Sequence, residues 1–341
     1  MGFRYIGSKI RIARDIMSYI GGPTDESARF LDAFTGTGAV ANVAADLGWN
    51  VHVNDILASA TTMAVSRLLS ESDVPFSRVG GYEKACEKLN ACRFDGFFWK
   101  EYSPASLRRV GVERRYFSED NARLLDGARR KVFRWFKSGL VTAKEKTLLL
   151  ATVISAMNEV ANIAGTYGCF ISHWTPQSKI KLSIKPLQLR QDPVRFSFSN
   201  LDVFNSVSNF EGTIYLDPPY TKRQYASYYH MMETLVSGDE PTVSGVSGLR
   251  PWKDKASPFC YKTKALKALV SLIGNAKARR IFLSYSDEGH VKLEDLEEKL
   301  SPFGSVAIVP LGEIGRYRPN ATACSNRDSV NEYLIDFRRG A

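Results

Sequence analysis

The sequence predicts an α/β fold, in which a parallel sheet is interrupted by a large inserted region. The first observation is an alternation of apolar strands and helices near the start of the chain, over 29–32, 39–47, 50–54 and 56–69. The second is that apolar strands resume after residue 190, and the third is that a basic stretch without this alternation lies between. Strands joined by helices imply a parallel sheet with right-handed crossovers.

The second half of the sheet is predicted from five apolar segments, at 194–199, 213–216, 280–286, 305–309 and 332–337. Between them, 262–276 has the apolar spacing of an amphipathic helix. The segment 237–258 is rich in Gly, Ser and Pro, which predicts a mobile loop. We therefore assign 1–70 and 190–341 to one sheet-forming domain and 71–189 to an insert.

The insert carries most of the chain's net positive charge. Residues 100–146 contain 13 Lys or Arg against 6 Asp or Glu, and the whole chain has a net charge of +10. The sequence predicts a mostly helical insert with a buried helix over 144–159, a Gly- and aromatic-rich loop over 162–174 and an exposed strand over 179–185. Such an excess of basic residues favours a polyanionic partner, of which nucleic acid is the commonest.

Composition excludes several classes of protein. An apolar content of 44% rules out global disorder, and no apolar run approaches the ~20 residues that span a bilayer. The segment 1–18 lacks a signal-peptide core, so we expect a cytoplasmic protein without a membrane partner. The five cysteines are Cys86, Cys92, Cys169, Cys260 and Cys324. They show no metal-ligand spacing and no disulfide pattern, so we expect reduced thiols and no metal.

A glycine-rich turn follows the first predicted strand. Gly36, Thr37 and Gly38 lie between this strand and a helix, and the two glycines allow a tight turn and close approach to a ligand. Asp55 ends the next strand, where a carboxylate can accept hydrogen bonds from ribose hydroxyls. The order strand, turn, helix, strand, acid favours a nucleotide-type ligand. The spelling GTGAVA also fits the turn of a dinucleotide-binding oxidoreductase.

A second motif follows the buried strand 213–216. Asp217, Pro218, Pro219 and Tyr220 lie at the carboxyl edge of the sheet, where α/β folds place their ligands. The prolines stiffen the turn and remove two N–H donors, which leaves neighbouring carbonyls as acceptors. A carboxylate, a carbonyl and an aromatic ring together suit a planar base that carries an amino group.

Three motifs resemble one family. The segments Arg4-Tyr5-Ile6-Gly7-Ser8-Lys9, 32–38 (DAFTGTG) and 217–220 (DPPY) resemble motifs of the Dam-like (DNA adenine methylase) N6-adenine DNA methyltransferases, which use S-adenosylmethionine (SAM). Their order, with the insert before DPPY, is similar to the α-group arrangement, in which the insert is the target-recognition domain. The resemblance implies a Rossmann-like SAM-dependent methyltransferase sheet, and it covers about half of the chain; residues 70–155 match nothing in it.

The resemblance also implies roles for individual residues. Lys9 would pair with the methionine carboxylate of SAM, Asp32 with its ammonium, and Asp55 with the ribose hydroxyls. The full set of expected SAM-binding residues is Tyr5, Lys9, Asp32, Phe34, Gly36, Thr37, Gly38, Asp55, Asp202 and Asp217. The catalytic residues would be Asp217, Pro218, Pro219 and Tyr220, acting on the amino group of a flipped-out adenine without any metal.

Basic residues of the insert and of later loops are the expected DNA contacts. The candidates are Arg108, Arg109, Arg114, Arg115, Arg129, Arg130, Lys181, Lys222, Arg223, Arg316 and Arg318. Lys179, Lys181 and Lys185 recur at every second or fourth residue, a spacing that places them on one face of a strand. We expect double-stranded DNA as substrate, a monomeric enzyme, and either a cognate restriction endonuclease or a solitary or phage-borne role.

Three alternatives stay open at this point. An RNA adenine-N6 methyltransferase would use the same pocket on a single-stranded base. An NAD-dependent oxidoreductase would use the GTGAVA turn, but it leaves Tyr5, Lys9 and the DPPY motif unexplained. A DNA-binding protein on an inactive methyltransferase fold would require a broken motif, and 217–220 is intact.

Overall fold

The computed structural model describes residues 3–315 and 329–340. Seven strands lie in this part of the chain, and each agrees with a predicted strand in position: β1 Arg29–Asp32, β2 Asn50–Asn54, β3 Phe196–Ser199, β4 Thr213–Leu216, β5 Arg280–Ser286, β6 Gly304–Gly315 and β7 Ser329–Arg339. The last two strands are longer than the sequence predicts. All seven form one sheet, and the α/β prediction is therefore confirmed.

The sheet has the order β3-β2-β1-β4-β5-β7-β6. The first five strands are parallel, whereas β7 runs antiparallel to both β5 and β6. The dinucleotide-binding order 3-2-1-4-5-6 contains no such reversed strand between its fifth and last positions. The sheet thus differs from that of a dinucleotide-binding oxidoreductase in the strands that follow β5.

Thirteen α-helices lie in the described residues. They are α1 Ala13–Ile20, α2 Ala39–Asp46, α3 Ala58–Leu68, α4 Tyr82–Asn90, α5 Phe97–Tyr102, α6 Leu107–Val110, α7 Glu119–Lys137, α8 Ala143–Val160, α9 Val203–Ser208, α10 Tyr225–Tyr228, α11 His230–Ser237, α12 Lys262–Gly274 and α13 Leu293–Leu300. Among the described helices, none has both the length and the apolar character that crossing a membrane requires.

The chain forms two compact units. The sheet unit comprises Gly7–Leu68, Val194–Tyr225 and Lys255–Ala341, and the helical unit comprises Met1–Ile6, Leu69–Pro193 and Ala226–Asp254. The predicted insert 71–189 lies within the helical unit, which also takes in two segments from outside it. The functional division into a catalytic part and a DNA-binding part stays a prediction.

The sheet unit is built around a core of strand and helix side chains. Leu31, Ile214 and Ile281 come from neighbouring strands, are fully buried, and share one cluster with residues of α9, α12 and α13. Ile214 and Leu216 lie in the short apolar strand β4, whose last three residues are buried. This packing fixes β4, and with it the position of the motif that follows at 217–220.

Two capped helices dominate the helical unit. The Ser118 hydroxyl accepts a hydrogen bond from the N–H of Asn121 and begins α7. Thr142 and Glu145 form a reciprocal capping box at the start of α8, with Thr142 N–H donating to Glu145 Oε2 at 2.7 Å. Helix α8 was predicted over 144–159 and is observed one residue longer at each end, and its apolar residues are buried along most of its length.

The prediction of a strand at 179–185 is wrong. The segment is irregular, because the side chains of two asparagines take the place of a partner strand. Asn121 accepts from Leu182 N–H at 2.8 Å and donates to Ile180 O at 2.9 Å, while Asn90 accepts from and donates to Ile184, both at 2.8 Å. The alternation itself is real, since Leu182 and Ile184 are buried and the lysines are exposed.

Candidate active site

The carboxyl ends of β1 and β4 lie side by side. Asp32, the last residue of β1, pairs with Tyr215 of β4, and Asp217 follows two residues later. Because the strands are parallel and adjacent, the glycine-rich turn and the DPPY motif leave the sheet at the same edge. This is the edge at which open α/β sheets bind ligands.

The glycine-rich turn is held by backbone and carboxylate contacts. Gly36 N–H donates to Asp55 Oδ2 at 3.2 Å, and Gly38 N–H donates to Thr35 O at 2.7 Å. Gly38 has φ +75°, and a Cβ there would lie 2.5 Å from the Cα of Ala64 in α3. Glycine at position 38 therefore allows α2 to pack closely against α3. The sequence motif suggests another reason for a glycine here, the close approach of a ligand.

Asp32 is a buried acid with one unsatisfied oxygen. It is 1% exposed, and its Oδ2 accepts from Thr35 Oγ1 at 3.2 Å and from Ala41 N–H at 3.3 Å. Its Oδ1 has no hydrogen-bond partner within residues 3–315 and 329–340. Burial, with a contribution from the charge of Asp217, raises the pKa of Asp32 to about 8. An unsatisfied buried acceptor is costly, so this oxygen suits a ligand that carries N–H donors.

Three more predicted SAM-binding residues lie at the same edge of the sheet unit. Asp55 accepts from the backbone N–H of Gly36 with one oxygen and of Leu57 with the other, at 3.2 and 3.0 Å. A carboxylate in this position, at the end of β2, can accept hydrogen bonds from a ligand hydroxyl. Asp202 is exposed and caps α9, where its Oδ1 accepts from the N–H of Phe204 at 2.9 Å. Phe34 is half-buried against Phe259, with ring centroids 5.5 Å apart.

Lys9 joins two acids that are distant in sequence. Its Nζ lies 3.0 Å from Asp217 Oδ1 and 3.4 Å from Glu332 Oε2, and the three side chains are 5, 15 and 7% exposed. The Tyr220 hydroxyl donates to Glu332 Oε1 at 3.0 Å, and Lys9 Nζ lies 5.3 Å from the Tyr220 ring centroid. We call Lys9, Asp217, Tyr220 and Glu332 the Lys9 cluster. The sequence motifs point to three of them and miss Glu332, which lies in the last strand.

The charges of the Lys9 cluster act on one another. Burial raises the pKa of Asp217 to about 6, with Lys9 opposing that rise and Glu332 adding to it. Burial alone would lower the pKa of Lys9, but Asp217, Tyr220 and Glu332 outweigh it and hold that pKa well above its usual value. Burial also raises the pKa of Tyr220. At neutral pH the cluster therefore holds an ammonium next to a carboxylate that protonates readily.

The turn of the DPPY motif is held by contacts with residues 285–290. The N–H of His290 donates to Tyr220 O at 2.9 Å, and the Tyr220 ring packs edge-on against Tyr285 at 5.7 Å. Pro218 is buried and Pro219 is half-buried. The side chains of Asp217 and Tyr220 consequently project from a rigid turn.

Tyr5 belongs to the helical unit. It is 8% exposed and stacks on Tyr229, with ring centroids 4.2 Å apart and an interplanar angle of 9°. The Tyr229 hydroxyl accepts from Ile6 N–H at 2.7 Å. This stacking gives Tyr5 a packing role, and its contact with SAM stays a prediction.

Two of the predicted DNA contacts are buried in protein. Arg114 is 3% exposed, pairs with Glu101 at 2.7 Å and donates to the carbonyls of Gly245 and Val246, both at 3.0 Å. Arg129 is 6% exposed and donates to backbone carbonyls near the end of α11. Burial and these contacts weigh against the predicted phosphate-binding role of these two arginines, because their guanidinium groups are already occupied inside the helical unit.

The other candidates differ in how available they are. Arg109 pairs with Glu101, and Arg115 pairs with Glu113 at 2.5 Å. Arg130 is exposed and lies over the ring of Phe94 at 4.3 Å. Four more candidates are exposed, namely Arg108, Lys181, Lys222 and Arg223. Arg316 and Arg318 lie outside the described residues, as does Cys324. For all of these basic residues, DNA contact stays a prediction.

Among the described residues, no group of three or more His, Cys, Asp or Glu side chains is arranged to hold a metal ion.

Comparison with known proteins shows the family of the chain. Residues 5–298 match the model of the D12 class N6 adenine-specific DNA methyltransferases. The modification methylase StsI of Streptococcus sanguinis is 31% identical over 98% of this chain and 52% of its own length. The type II methyltransferase M.FokI of Planomicrobium okeanokoites is 33% identical over 88% of this chain and 47% of its own.

A third relative is more similar in length. The type II methyltransferase M.NlaIII of Neisseria lactamica is 28% identical over 97% of both chains. The chain thus spans about half the length of StsI and M.FokI and nearly all of M.NlaIII. The family model covers most of the chain, including both the glycine-rich turn and the DPPY motif. The chain belongs to the D12 class of N6 adenine-specific DNA methyltransferases.

Proposed function

We propose that this chain transfers a methyl group from SAM to N6 of an adenine that has left the DNA duplex. The observation that carries the proposal is the position of Asp217 and Tyr220, on a rigid turn beside the buried acid Asp32. Membership of the D12 class supports both the reaction and the target atom.

The residues at the sheet edge fit SAM. Membership of a methyltransferase family implies this cofactor. The free Oδ1 of Asp32 suits the ammonium of the methionine part, and the carboxylate of Asp55, which lies beside the glycine-rich turn, suits ribose hydroxyls. When bound, SAM supplies a methyl group on a positively charged sulfur. Lys9 already has two carboxylate neighbours, which favours a role in holding Asp217 over the expected pairing with the cofactor carboxylate.

The chemistry requires the amino group of adenine to act as a nucleophile. Its lone pair is delocalised into the ring, and hydrogen bonds from N6–H to the carboxylate of Asp217 and the carbonyl of Pro218 would localise it on nitrogen. The Tyr220 ring offers a surface on which the base stacks, worth ~1–3 kcal/mol. That gain offsets part of the few kcal/mol that unstacking the base costs.

The sheet and the motif weigh against two alternatives. The antiparallel β7 between β5 and β6 separates this fold from the dinucleotide-binding order, so the sheet does not support an oxidoreductase, which the sequence suggested only through the GTGAVA turn. The intact residues 217–220, with their contacts to Lys9 and Glu332, weigh against an inactive fold.

The proposed biological setting comes from the relatives. StsI is a modification methylase, and M.FokI and M.NlaIII are type II methyltransferases. We therefore propose that this chain modifies double-stranded DNA in the cytoplasm, alongside a cognate restriction endonuclease. Action as a monomer on each strand separately remains a prediction from the sequence.

The test compares two aspartate variants in a methyl-transfer assay with labelled SAM and duplex DNA. Asp217→Ala should lower turnover by ~100-fold or more while DNA affinity is kept, because it removes the acceptor for N6–H. The control is Asp120→Ala, at an 87% exposed position on α7, which should turn over like the wild type. Turnover at the wild-type rate by Asp217→Ala would overturn the catalytic assignment.

A further inference from the structure

Glu332 is the one acid of the Lys9 cluster that no sequence motif indicates. It lies in β7, and its carboxylate is 7% exposed. One oxygen accepts from the Tyr220 hydroxyl at 3.0 Å, and the other lies 3.4 Å from Lys9 Nζ. Both contacts of this carboxylate therefore go to residues that hold or form the DPPY site.

A buried carboxylate is expensive, and its partners decide what it does. Removing an ion from water costs several kcal/mol unless a counter-ion and hydrogen bonds compensate. Here the only counter-ion in contact within the described residues is Lys9, which Glu332 shares with Asp217. The second oxygen gains a hydrogen bond from a phenol that is itself part of the proposed base-binding site.

The contacts restrict two side chains at once. The Tyr220 ring cannot rotate away from its position without losing the bond between its hydroxyl and Glu332 Oε1. The ammonium of Lys9 is drawn toward both acids, so its distance from Asp217 depends on the charge of Glu332. Within the described residues, the two side-chain contacts of the Glu332 carboxylate go to Lys9 and Tyr220, and neither goes to the glycine-rich turn.

We propose that Glu332 is a positioning residue for methyl transfer, which holds the Tyr220 ring by its hydroxyl and holds Asp217 through the shared ammonium of Lys9. The inference rests on the proposed function. It assigns to β7, the antiparallel strand of the sheet, a direct part in ordering the site at the end of β4.

The charge of Glu332 should also set the pH range of the reaction. The ionisable groups that act on Asp217 or feel its charge are Lys9, Asp32, Tyr215, Tyr220, Tyr225 and Glu332. Within this set Glu332 raises the pKa of Asp217, so neutralising it should lower that pKa from about 6. The acidic limb of the turnover profile should then move to lower pH.

The experiment compares Glu332→Gln, Glu332→Ala and Asp336→Asn. Gln keeps an acceptor for the Tyr220 hydroxyl and removes the charge, whereas Ala removes both. Asp336 is the matched control: it is a buried acid on β7 with its own arginine partners, four residues or about 13 Å farther along the strand. Turnover, the KM for SAM and the pH profile are measured for each variant.

We expect kcat to fall ~10-fold for Glu332→Gln and ~100-fold for Glu332→Ala, with a smaller change in the KM for SAM. In both variants Asp217 and Tyr220 are still present but are held less firmly in position. The acidic limb should move to lower pH in Glu332→Gln and stay in place in Asp336→Asn. A Glu332→Gln enzyme with wild-type kcat and an unmoved limb would overturn the proposal.

A second measurement does not depend on activity. In the ligand-free protein, Tyr220→Phe and Glu332→Ala should affect the unfolding equilibrium constant non-additively, by roughly fivefold or more, because they remove two ends of one hydrogen bond. Additive effects would overturn the positioning of Tyr220. A wild-type protein that transfers no methyl group, yet shows this coupling, would contradict the proposed function while supporting the contact.

Discussion

The ammonium of Lys9 lies 3.0 Å from the carboxylate of Asp217, and both side chains are largely buried. One residue comes from the RYIGSK motif and the other from DPPY, so the fold joins the motif expected to bind SAM to the motif expected to be catalytic. The contact has two consequences. It balances a charge that burial would otherwise neutralise, and it fixes the oxygen that would accept the N6–H of adenine.

Replacing Lys9 by methionine tests this contact. The variant leaves Asp217 and Glu332 without their shared cation, so we expect a loss of about 3 kcal/mol in unfolding free energy at pH 8. Because Lys9 lowers the pKa of Asp217, its removal should move the acidic limb of turnover to higher pH, opposite to the shift in Glu332→Gln. Urea unfolding and a pH profile measure these effects.

Lys179→Met serves as the control for that experiment, since Lys179 is exposed and lies in the helical unit. Its unfolding free energy should stay within about 0.5 kcal/mol of the wild type. Equal stability of the Lys9→Met and Lys179→Met proteins would show that the Lys9–Asp217 contact does not contribute to the folded state.

The pKa of Asp32 predicts how stability depends on pH. Folding raises this pKa from 3.8 to about 8, so the folded protein binds a proton that the unfolded chain releases. The stabilising contribution of Asp32 is therefore fully present below pH 3.8 and is lost as the pH rises through 8. Each such proton changes the unfolding free energy by at most about 1.4 kcal/mol per pH unit.

Asp32→Asn should remove this slope. Asp217 titrates near pH 6, so the flattening should be clearest between pH 6 and 8. Urea unfolding at several pH values measures it, with Asp120→Asn as the exposed control. An unchanged slope over this interval would mean that Asp32 is ionised in the folded protein at neutral pH.

Gly38→Ala should be more costly than a positive φ alone explains. The added Cβ would lie 2.5 Å from the Ala64 Cα, so α2 and α3 would have to separate. We expect a loss of about 3 kcal/mol, from backbone strain and overpacking together. Gly111 is the matched control, because its φ of 68° and ψ of 7° are similar to the 75° and 21° of Gly38 and no atom lies within 4 Å of its Cβ position.

Thermal unfolding compares the two alanine variants directly. Gly111→Ala should cost only about 1–2 kcal/mol, the strain of an L-residue in the left-handed region. If both variants lost the same stability, the packing role of Gly38 would be refuted and backbone conformation would account for the whole effect.

The exposed lysines of 179–185 should contribute to DNA binding through phosphate contacts. Replacing Lys179, Lys181 and Lys185 by glutamine should weaken binding to all duplex sequences and reduce the slope of log K against log salt by up to about 3. The control replaces three exposed lysines of α12, Lys262, Lys264 and Lys267, and should leave the slope unchanged. Identical slopes for both triple variants and the wild type would exclude this segment from the DNA interface.

The strands and the two motifs could be predicted because local sequence decides them. Short apolar runs bounded by turns predict β1, β2, β4 and β5 at their observed bounds. The parallel order then placed Asp32 and Asp217 at one edge without knowledge of any contact. The resemblance supplied the family, which the comparison confirms.

The remainder depends on contacts between distant residues. The segment 179–185 alternates like a strand, but Asn90 and Asn121, far away in sequence, satisfy its backbone. Arg114 is indistinguishable in sequence from its exposed neighbours, and only the turn at 244–249 and Glu101 show that it is buried. Glu332 belongs to a strand that reverses direction, so neither motif spacing nor order along the chain connects it to Tyr220.

The most direct test of the account is to identify the methylated base. The wild-type protein is incubated with SAM and mixed-sequence duplex DNA, the DNA is digested to nucleosides, and the modified nucleoside is determined. The position of Asp217 and Tyr220 and the family of the chain predict N6-methyladenine. Methylated cytosine in the DNA would contradict this prediction. So would DNA without any methylated base after incubation with a protein that binds SAM.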